Sequence, residues 1–192
     1  MRHLILAILA LLICAASVFA QRDICEWCPV LDTPRVLTSD IVIADSTQTG
    51  ERIEISGRVL ASDGRTPVAG AILYLYHTNA EGIYPRHGDE KRSSSGYWHG
   101  YLRGWLKTNE RGEFRIRTIK PASYPNSTIA AHIHCVIKEP TSDTGYYVED
   151  FLFAGDPYLP KTAKQSEKPP HVVALTKSPD GVMRGRRDIQ LP

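Results

Sequence analysis

The chain has 192 residues, of which 42% are hydrophobic and 23% are charged, and its formal net charge at pH 7 is +2. Basic and acidic residues are interspersed along it, which excludes a nucleic-acid-binding stripe and a polybasic membrane-binding patch. The length is sufficient for one domain with a sizeable hydrophobic core.

The first part of the chain, residues 1–20, is predicted to be a secretory signal peptide. A short basic start is followed by an apolar run over residues 4–13 and by small residues before a predicted cut after Ala20. The run is too short for a membrane span, so we predict an exported protein, either secreted or periplasmic. A lipid anchor at Cys14 is the alternative, although Ile13 is a poor match to the small residue that such processing prefers.

An N-terminal arm is predicted over residues 21–45, ahead of one β-sandwich domain over residues 46–192. The arm contains Cys25 and Cys28 as a Cys-x-x-Cys pair. In an exported chain such a pair favours a local disulfide over redox or zinc chemistry. The residue directly after Cys28 is Pro29 and not histidine, and there is no second Cys-x-x-Cys, so covalent haem attachment and a four-cysteine zinc site are excluded.

The body of the domain consists of short predicted strands separated by turns rich in Gly, Pro and Asn. Apolar runs, alternating or continuous, predict strands at residues 53–60, 71–77, 105–108, 113–119, 131–138 and 188–191. Turns are predicted at residues 62–67 and 109–112, and polar loops at residues 85–100 and 161–170. The pattern is typical of an all-β fold, an antiparallel β-sandwich.

Two histidines on the predicted strand 131–138 are candidate metal ligands. His132 and His134 are two positions apart, so the alternation of a strand places both rings on one face, about 6–7 Å apart at Cα. Cys135 then faces the opposite side and is expected to be buried. Tyr124 precedes the strand between two prolines, which fix the backbone and direct the phenol. These residues predict a site for a hard, oxidised metal ion.

A set of short motifs occurs in a fixed order within residues 50–192. Its members are Asn79-Ala-Glu-Gly-Ile-Tyr84, Arg103-Gly104, Arg117-Thr-Ile-Lys-Pro121, Tyr124-Pro125, His132-Ile-His134, Phe153-Ala-Gly-Asp-Pro157 and a closing Asp188-Ile-Gln-Leu191. Each motif alone is weak, but the ordered set resembles the intradiol ring-cleavage dioxygenases, the group that includes protocatechuate 3,4-dioxygenase and catechol 1,2-dioxygenase. The resemblance implies a transthyretin-like β-sandwich and a non-haem Fe(III) ion with four protein ligands, Tyr84, Tyr124, His132 and His134.

The resemblance also implies a reaction. The partners would be a small aromatic diol and O2: the catechol binds through both oxygens, displaces Tyr124, and is cleaved between its two hydroxyl-bearing carbons to a muconate-type diacid. Tyr124 is thus implied as a catalytic residue as well as a ligand. Phenolate is a hard anionic donor that favours ferric over ferrous iron, in agreement with these residue types. Members of the family form dimers or larger mixed complexes, so a homo-oligomer is compatible with the sequence.

One departure from the family pattern concerns positive charge beside the metal. The family typically has an arginine three residues before the first histidine ligand, where this chain has Ile129. That charge stabilises electron-rich intermediates, and loss of one such group commonly costs about 10²–10³ in rate. Arg103 is the candidate catalytic residue that could supply the charge instead, with Arg86 and Arg117 as alternatives.

Other polar residues near the motifs carry weaker expectations. Glu149 and Asp150 lie close to the position where the family often has a glutamine, and their negative charge would disfavour an anionic intermediate. The remaining histidines of the domain are expected on the surface or in loops: His77, His87, His99 and His171. His77 is also a minor candidate for a residue that contacts a metal ligand.

Three functions from different classes remain open on the sequence. The first is an exported dioxygenase acting on catechols, and the second is a catalytically weak relative that binds iron or catecholates, which Ile129 makes credible. The third is a transthyretin-like binding module, which leaves the tyrosines and histidines unexplained. A tyrosinate-to-iron absorption band would separate the first two from the third, and oxygen uptake with catechol would separate the first from the second.

Overall fold

The computed structural model describes residue 25, residues 27–159 and residues 171–192. The predicted signal peptide and the predicted loop over residues 161–170 lie outside these ranges, and both stay predictions. No helix among the described residues is long and apolar enough to cross a bilayer. The elements are a 3₁₀ turn (Cys28–Leu31), β1 (Asp40–Val42), β2 (Arg52–Leu60), β3 (Ile72–His77), α1 (Ser95–His99), β4 (Arg103–Lys107), β5 (Glu113–Ile119), β6 (His132–Lys138), β7 (Tyr146–Phe153), β8 (Val172–Val173), β9 (Thr176–Lys177), β10 (Met183–Arg186) and β11 (Ile189–Gln190).

Two sheets share one core and confirm the predicted all-β sandwich. The first has the strand order β1-β5-β2-β10-β9, with β11 also pairing with β2, and the second has the order β4-β3-β6-β7-β8. The long strands pair antiparallel, as predicted. The short strands β1, β8, β10 and β11 pair in parallel with their long neighbours. Parallel partners need long connections, and long stretches of chain separate each of these strands from its partner.

One large apolar cluster fills the space between the sheets. Alternate residues of the strands point into it, so that β2 contributes Ile53 and Ile55 and β6 contributes Ile133, Cys135 and Ile137. All five are at most 1% exposed. The prediction that the free cysteine is buried on the face opposite the two histidines is confirmed. The core therefore fixes which face of β6 carries the polar rings.

The start of the N-terminal arm packs against the outer face of the second sheet, whereas its end contains β1, which pairs with β5 in the first sheet. Cys25 and Cys28 form a disulfide, as predicted. Val30, in the 3₁₀ turn, is fully buried among aromatic residues of the sheet. The indole Nε1 of Trp105 donates a hydrogen bond to the carbonyl oxygen of Pro29 at 2.7 Å. These contacts cover the aromatic residues of β3 and β4.

The prediction that residues 85–100 form only a loop is wrong, because Ser95–His99 is the short helix α1. Gly100, with φ of 65°, follows the helix as its C-cap. Such a backbone conformation favours glycine, which often ends helices. A helix of five residues is too short to show an apolar periodicity, so it could not be predicted from the pattern of polar residues around it.

His77, expected on the surface or in a loop, is fully buried at the end of β3, so that expectation is wrong. Its Nδ1 lies 2.7 Å from the carbonyl oxygen of Thr78, and its Nε2 lies 2.7 Å from Oγ1 of Thr118. Both ring nitrogens therefore have partners that suit a neutral imidazole. Burial lowers the pKa of His77 to about 4.

We expect His77 to make the metal-free protein less stable in mild acid. An unfolded histidine binds a proton near pH 6.5, at about its ordinary pKa, whereas the folded one does so only near pH 4. The unfolded state binds more protons between these values, so the contribution of His77 to the free energy of unfolding falls as the pH falls from 6.5 to 4 and changes little outside that window. Between about pH 7.5 and about pH 5 the loss from this group is about 2 kcal/mol.

Urea unfolding of the metal-free protein at both pH values measures this loss. In His77→Gln the difference in the free energy of unfolding between the two pH values should shrink by about 2 kcal/mol, whatever the overall stability of that variant. An unchanged difference would contradict the assignment.

Candidate metal centre

Strand β6 presents two imidazoles on one face of the second sheet. His132 and His134 alternate with the core residues Ile133 and Cys135, so both rings point away from the core. Their Nε2 atoms lie 3.0 Å apart and the ring planes are nearly perpendicular. His132 is only 8% exposed. The predicted pair thus offers two ring nitrogens to one point.

Two loops that touch each other carry the tyrosines. Gly82 has φ of 77°, a conformation that favours glycine. A Cβ atom on Gly82 would lie 2.0 Å from the carbonyl oxygen of Ser123, so no larger residue allows this approach of the two loops. The approach brings Tyr84, two residues after Gly82, against Tyr124, which follows Ser123. Their Oη atoms are 2.6 Å apart.

The four predicted ligand side chains therefore meet at one place. Tyr124 Oη is 2.6 Å from Tyr84 Oη and 3.2 Å from Nε2 of both His132 and His134. Donor atoms that bind one metal ion at about 2.1 Å lie about 3.0–3.4 Å apart at adjacent positions. The histidines and Tyr124 already have this spacing, and Tyr84 joins them through Tyr124. Two phenols and two imidazoles are a donor set suited to a hard transition-metal ion.

Hydrogen bonds determine which nitrogen each histidine offers. Nδ1 of His132 donates to the carbonyl oxygen of Ala130 at 2.6 Å, and Nδ1 of His134 lies 3.0 Å from Oδ1 of Asp150. With the proton on Nδ1, the lone pair of each Nε2 faces the cluster. Burial lowers the pKa of His132, which keeps its ring in the neutral form that binds metals.

The two phenols require a strong cation to ionise. Burial raises the pKa of both Tyr84 and Tyr124. In the metal-free protein they are therefore neutral and hydrogen-bonded to each other. A highly charged ion favours the phenolate form by direct coordination, so this environment suits a ferric ion better than a weakly acidic divalent one.

A second donor set, His132, His134 and Asp150, is also close enough to hold a metal ion. Asp150, however, meets Nδ1 of His134, whereas Nε2, on the other edge of the ring, faces His132 and Tyr124. An ion bound by the two Nε2 atoms would have Asp150 behind the ring. The geometry makes Asp150 a partner of a ligand rather than a ligand.

An aromatic wall that was not expected from the sequence stands beside His134. Tyr76 stacks on His134 with ring centroids 4.5 Å apart, and its ring also stacks on His99 at 3.8 Å. His99 Nδ1 lies 2.8 Å from Oη of Tyr74, and burial lowers the pKa of His99 to about 4. His99 is half-buried and packs against the rings of Tyr74 and Tyr76. A cavity of about 390 Å³ opens here, with Tyr76, His134, Tyr147 and Asp150 among its lining residues.

The arginines considered as replacement charges have their contacts elsewhere. Arg103 donates to a backbone carbonyl at the end of α1, and its guanidinium carbon lies 6.0 Å from the centre of the Trp105 ring. Arg86 lies over the ring of Tyr97 at 4.6 Å. Arg117 pairs with a carboxylate on the first sheet at 2.8 Å. The catalytic role of Arg103 stays a prediction.

The fold and the donor set together define a β-sandwich with a candidate metal centre of two phenols and two imidazoles. A family model described as Dioxygenase matches residues 33–190. The chain belongs to the intradiol ring-cleavage dioxygenase family, as its ordered motifs indicate.

Similar curated proteins carry names from this family. The 6-chlorohydroxyquinol 1,2-dioxygenase of Cupriavidus pinatubonensis is 30% identical over 151 residues, which cover 70% of this chain and 51% of the relative. The protocatechuate 3,4-dioxygenase beta chain of Burkholderia cepacia is 32% identical over 121 residues, which cover 57% and 48%. The chain therefore spans about half the length of these relatives.

Solved structures share the fold. The dioxygenase domain of a dioxygenase carbohydrate-binding protein fusion from Streptomyces sp. SirexAA-E has a TM-score of 0.61 at 22% identity, over 82% of this chain and 90% of that one. Catechol 1,2-dioxygenase from Pseudomonas arvilla C-1 has a TM-score of 0.61 at 20% identity, over 81% and 56%. At these identities the likeness shows the sandwich fold alone.

Proposed function

We propose that the protein is a non-haem Fe(III) dioxygenase that cleaves catechol-type rings between the two hydroxyl-bearing carbons. Both atoms of O2 enter the product, a muconate-type diacid. The observation that carries the proposal is that Tyr124 Oη lies within 3.2 Å of the donor atoms of the three other side chains, those of Tyr84, His132 and His134. Membership of the intradiol family supports it, and the similar proteins carry the names of dioxygenases.

The four side chains are the residues that would hold the iron. Two phenolates and two neutral imidazoles match the preference of ferric iron for hard anionic oxygen and for imidazole. Ferric iron, when bound, would withdraw electron density from a catecholate and make its ring reactive towards O2.

Tyr124 is the residue that we assign to exchange with the substrate. It lies in a loop between Pro121 and Pro125, and its Oη contacts donor atoms of all three other side chains. If a catechol oxygen replaced Tyr124 in the proposed centre, the released phenolate oxygen of Tyr124 would accept one of the protons that the diol loses. Tyr84 and the histidines would keep their positions.

We assign the substrate ring to the Nε2 side of His134, where Tyr124 is proposed to give up its place. The cavity of about 390 Å³ has Asp150 in its lining and none of Tyr84, Tyr124 and His132. It therefore lies on the Nδ1 side of the His134 ring, away from the proposed iron, and is not assigned to the substrate.

Oxygen consumption with catechol tests this function. Iron-loaded protein should consume one O2 per catechol, and with ¹⁸O2 the diacid should carry both labelled atoms. Iron binding without oxygen uptake for any simple catechol would instead support a catalytically weak iron- or catecholate-binding relative.

Ile129→Arg is expected to raise turnover. Ile129 is 55% exposed, so a longer side chain needs no rearrangement of the core. A positive charge beside the proposed iron would stabilise negative charge that builds on the substrate, and we expect a gain of about 10-fold, below the about 10²–10³ lost when such a group is removed. Steady-state kinetics with an electron-poor catechol should show the largest gain.

Val36→Arg is the matched control, because it adds the same charge at a position that is 80% exposed. It should leave turnover unchanged. A wild-type rate equal to that of arginine-bearing relatives, with no gain in Ile129→Arg, would show that another group fills the role, and Arg103 would be the first to test.

We also propose that the protein works outside the cytoplasm, in a secreted or periplasmic location. The signal-peptide pattern of residues 1–20 and the Cys25–Cys28 disulfide support this. The mass of the exported protein should correspond to a chain that starts at Gln21.

A further inference from the structure

The pairing of β6 with β7 is irregular directly opposite His134. Before this point Ile133 pairs with Phe151, and after it the register is shifted by one residue. Glu149 and Asp150 therefore stand together against the single residue His134. Such a β-bulge turns a side chain out of the regular alternation of a strand.

The bulge directs Asp150, and not its neighbour, at the ring of His134. Oδ1 of Asp150 lies 3.0 Å from Nδ1 of His134. Glu149 has a side chain that is 67% exposed and lies 3.3 Å from Nδ1 of His171. The two acids carry the same charge at adjacent positions, but only Asp150 contacts a proposed ligand.

A buried arginine supports the bulge from the first sheet. Arg187 is 4% exposed, its guanidinium carbon lies 4.0 Å from the centre of the Phe151 ring, and it donates a hydrogen bond to the carbonyl oxygen of Glu149. The backbone N–H of Arg187 donates to the carbonyl oxygen of Ser56 on β2 at 2.9 Å. The backbone carbonyl of Arg187 lies so close to Gly57 that a Cβ atom on residue 57 would have no room. A bulge disrupts the ladder of backbone hydrogen bonds, and the side chain of Arg187 provides the carbonyl oxygen of Glu149 with a replacement donor.

We propose that Asp150 is a positioning residue for His134, placed by a bulge that Arg187 holds in shape; the inference rests on the proposed metal centre. The carboxylate accepts the Nδ1 proton, which leaves Nε2 as the donor atom and keeps the ring turned towards Tyr124. His132 has only a neutral carbonyl acceptor at the same place. Because a charged acceptor strengthens an imidazole ligand more than a neutral one, His134 is the stronger of the two histidine ligands.

Metal binding by metal-free protein tests the inference, with Zn(II) as the probe and a chromophoric chelator as the competitor. Asp150→Ala removes the acceptor, and Asp150→Asn keeps an oxygen acceptor without its charge. Glu149→Gln is the matched control, because it removes one charge from the same bulge without a contact to His134. We expect Asp150→Ala to bind about 10–100-fold more weakly than the wild type, Asp150→Asn to lie between, and Glu149→Gln to stay within about twofold.

A spectroscopic readout separates positioning from a general loss of structure. In the metal-free wild type, ¹⁵N-resolved NMR should find the proton of His134 on Nδ1, and in Asp150→Ala the proton should be distributed over both ring nitrogens while near-UV circular dichroism is unchanged. Equal Zn(II) affinity of Asp150→Ala and Glu149→Gln, or an unchanged His134 tautomer, would overturn the inference alone. A wild type that binds neither Zn(II) nor Fe(III) would overturn the proposed centre with it.

Discussion

Replacing His132 or His134 with alanine is expected to abolish specific iron binding and ring cleavage. Each substitution removes one of two Nε2 donors that lie 3.0 Å apart. Loss of a residue that merely hydrogen-bonds to a ligand costs about 10–100-fold in metal affinity, so loss of the ligand itself should cost at least about 100-fold. The fold should survive, because both rings point away from the core and the apolar residues of β6 are retained.

Metal analysis after reconstitution, together with oxygen uptake, measures this effect. His87→Ala is the matched control: it also removes an imidazole, but His87 is exposed and stacks on Tyr101 instead of facing the four donors. The control should keep full iron content and activity. A His134→Ala protein with stoichiometric iron and wild-type turnover would remove this histidine from the centre.

Tyr84→Phe and Tyr124→Phe are expected to have different consequences, although the two hydroxyls lie 2.6 Å apart. Without substrate, each variant loses one of two tyrosinates. With a catechol bound, Tyr124 is proposed to be displaced, so the remaining tyrosinate is Tyr84. Tyr124→Phe also loses the proposed proton acceptor and should lower kcat by about 10²–10⁴-fold.

Resonance Raman spectra of the iron-loaded variants with bound catechol distinguish the two tyrosines. Tyrosinate modes should be absent from the Tyr84→Phe complex and present in the Tyr124→Phe complex. Tyr101→Phe keeps its ring and loses a hydroxyl that bonds only weakly to Gln48 at 3.4 Å, so it should behave as the wild type. Tyrosinate modes that persist in Tyr84→Phe and vanish in Tyr124→Phe would reverse the two assigned roles.

The sandwich and its histidine-bearing strand were predictable because a strand's alternation is a local property. His132 and His134 follow the period of two, and so do Ile133 and Cys135 on the other face. The short parallel strands were not predictable as such, because their partners lie far away in sequence and only tertiary packing selects the pairing.

The meeting of Tyr84 with Tyr124 could be predicted only from the resemblance to the family. The two residues are 40 positions apart, and no local spacing brings their loops together. The structure supplies the reason in the approach of Gly82 to Ser123, which depends on two loops at once.

The role of Asp150 was beyond the sequence for a related reason. A bulge depends on the register between two strands, and one extra residue changes the direction of a side chain. From sequence, Asp150 was expected to repel an anionic intermediate, whereas its carboxylate lies against Nδ1 of His134. The burial of His77 likewise depends on a distant partner, Thr118 on β5.

The visible spectrum of the reconstituted protein, measured together with its metal content, tests the central claim most directly. The four-donor centre predicts one iron per chain and a tyrosinate-to-Fe(III) charge-transfer band that disappears in the double variant Tyr84→Phe/Tyr124→Phe. A protein that retains no iron, or that binds iron without such a band, would contradict coordination by Tyr84 and Tyr124.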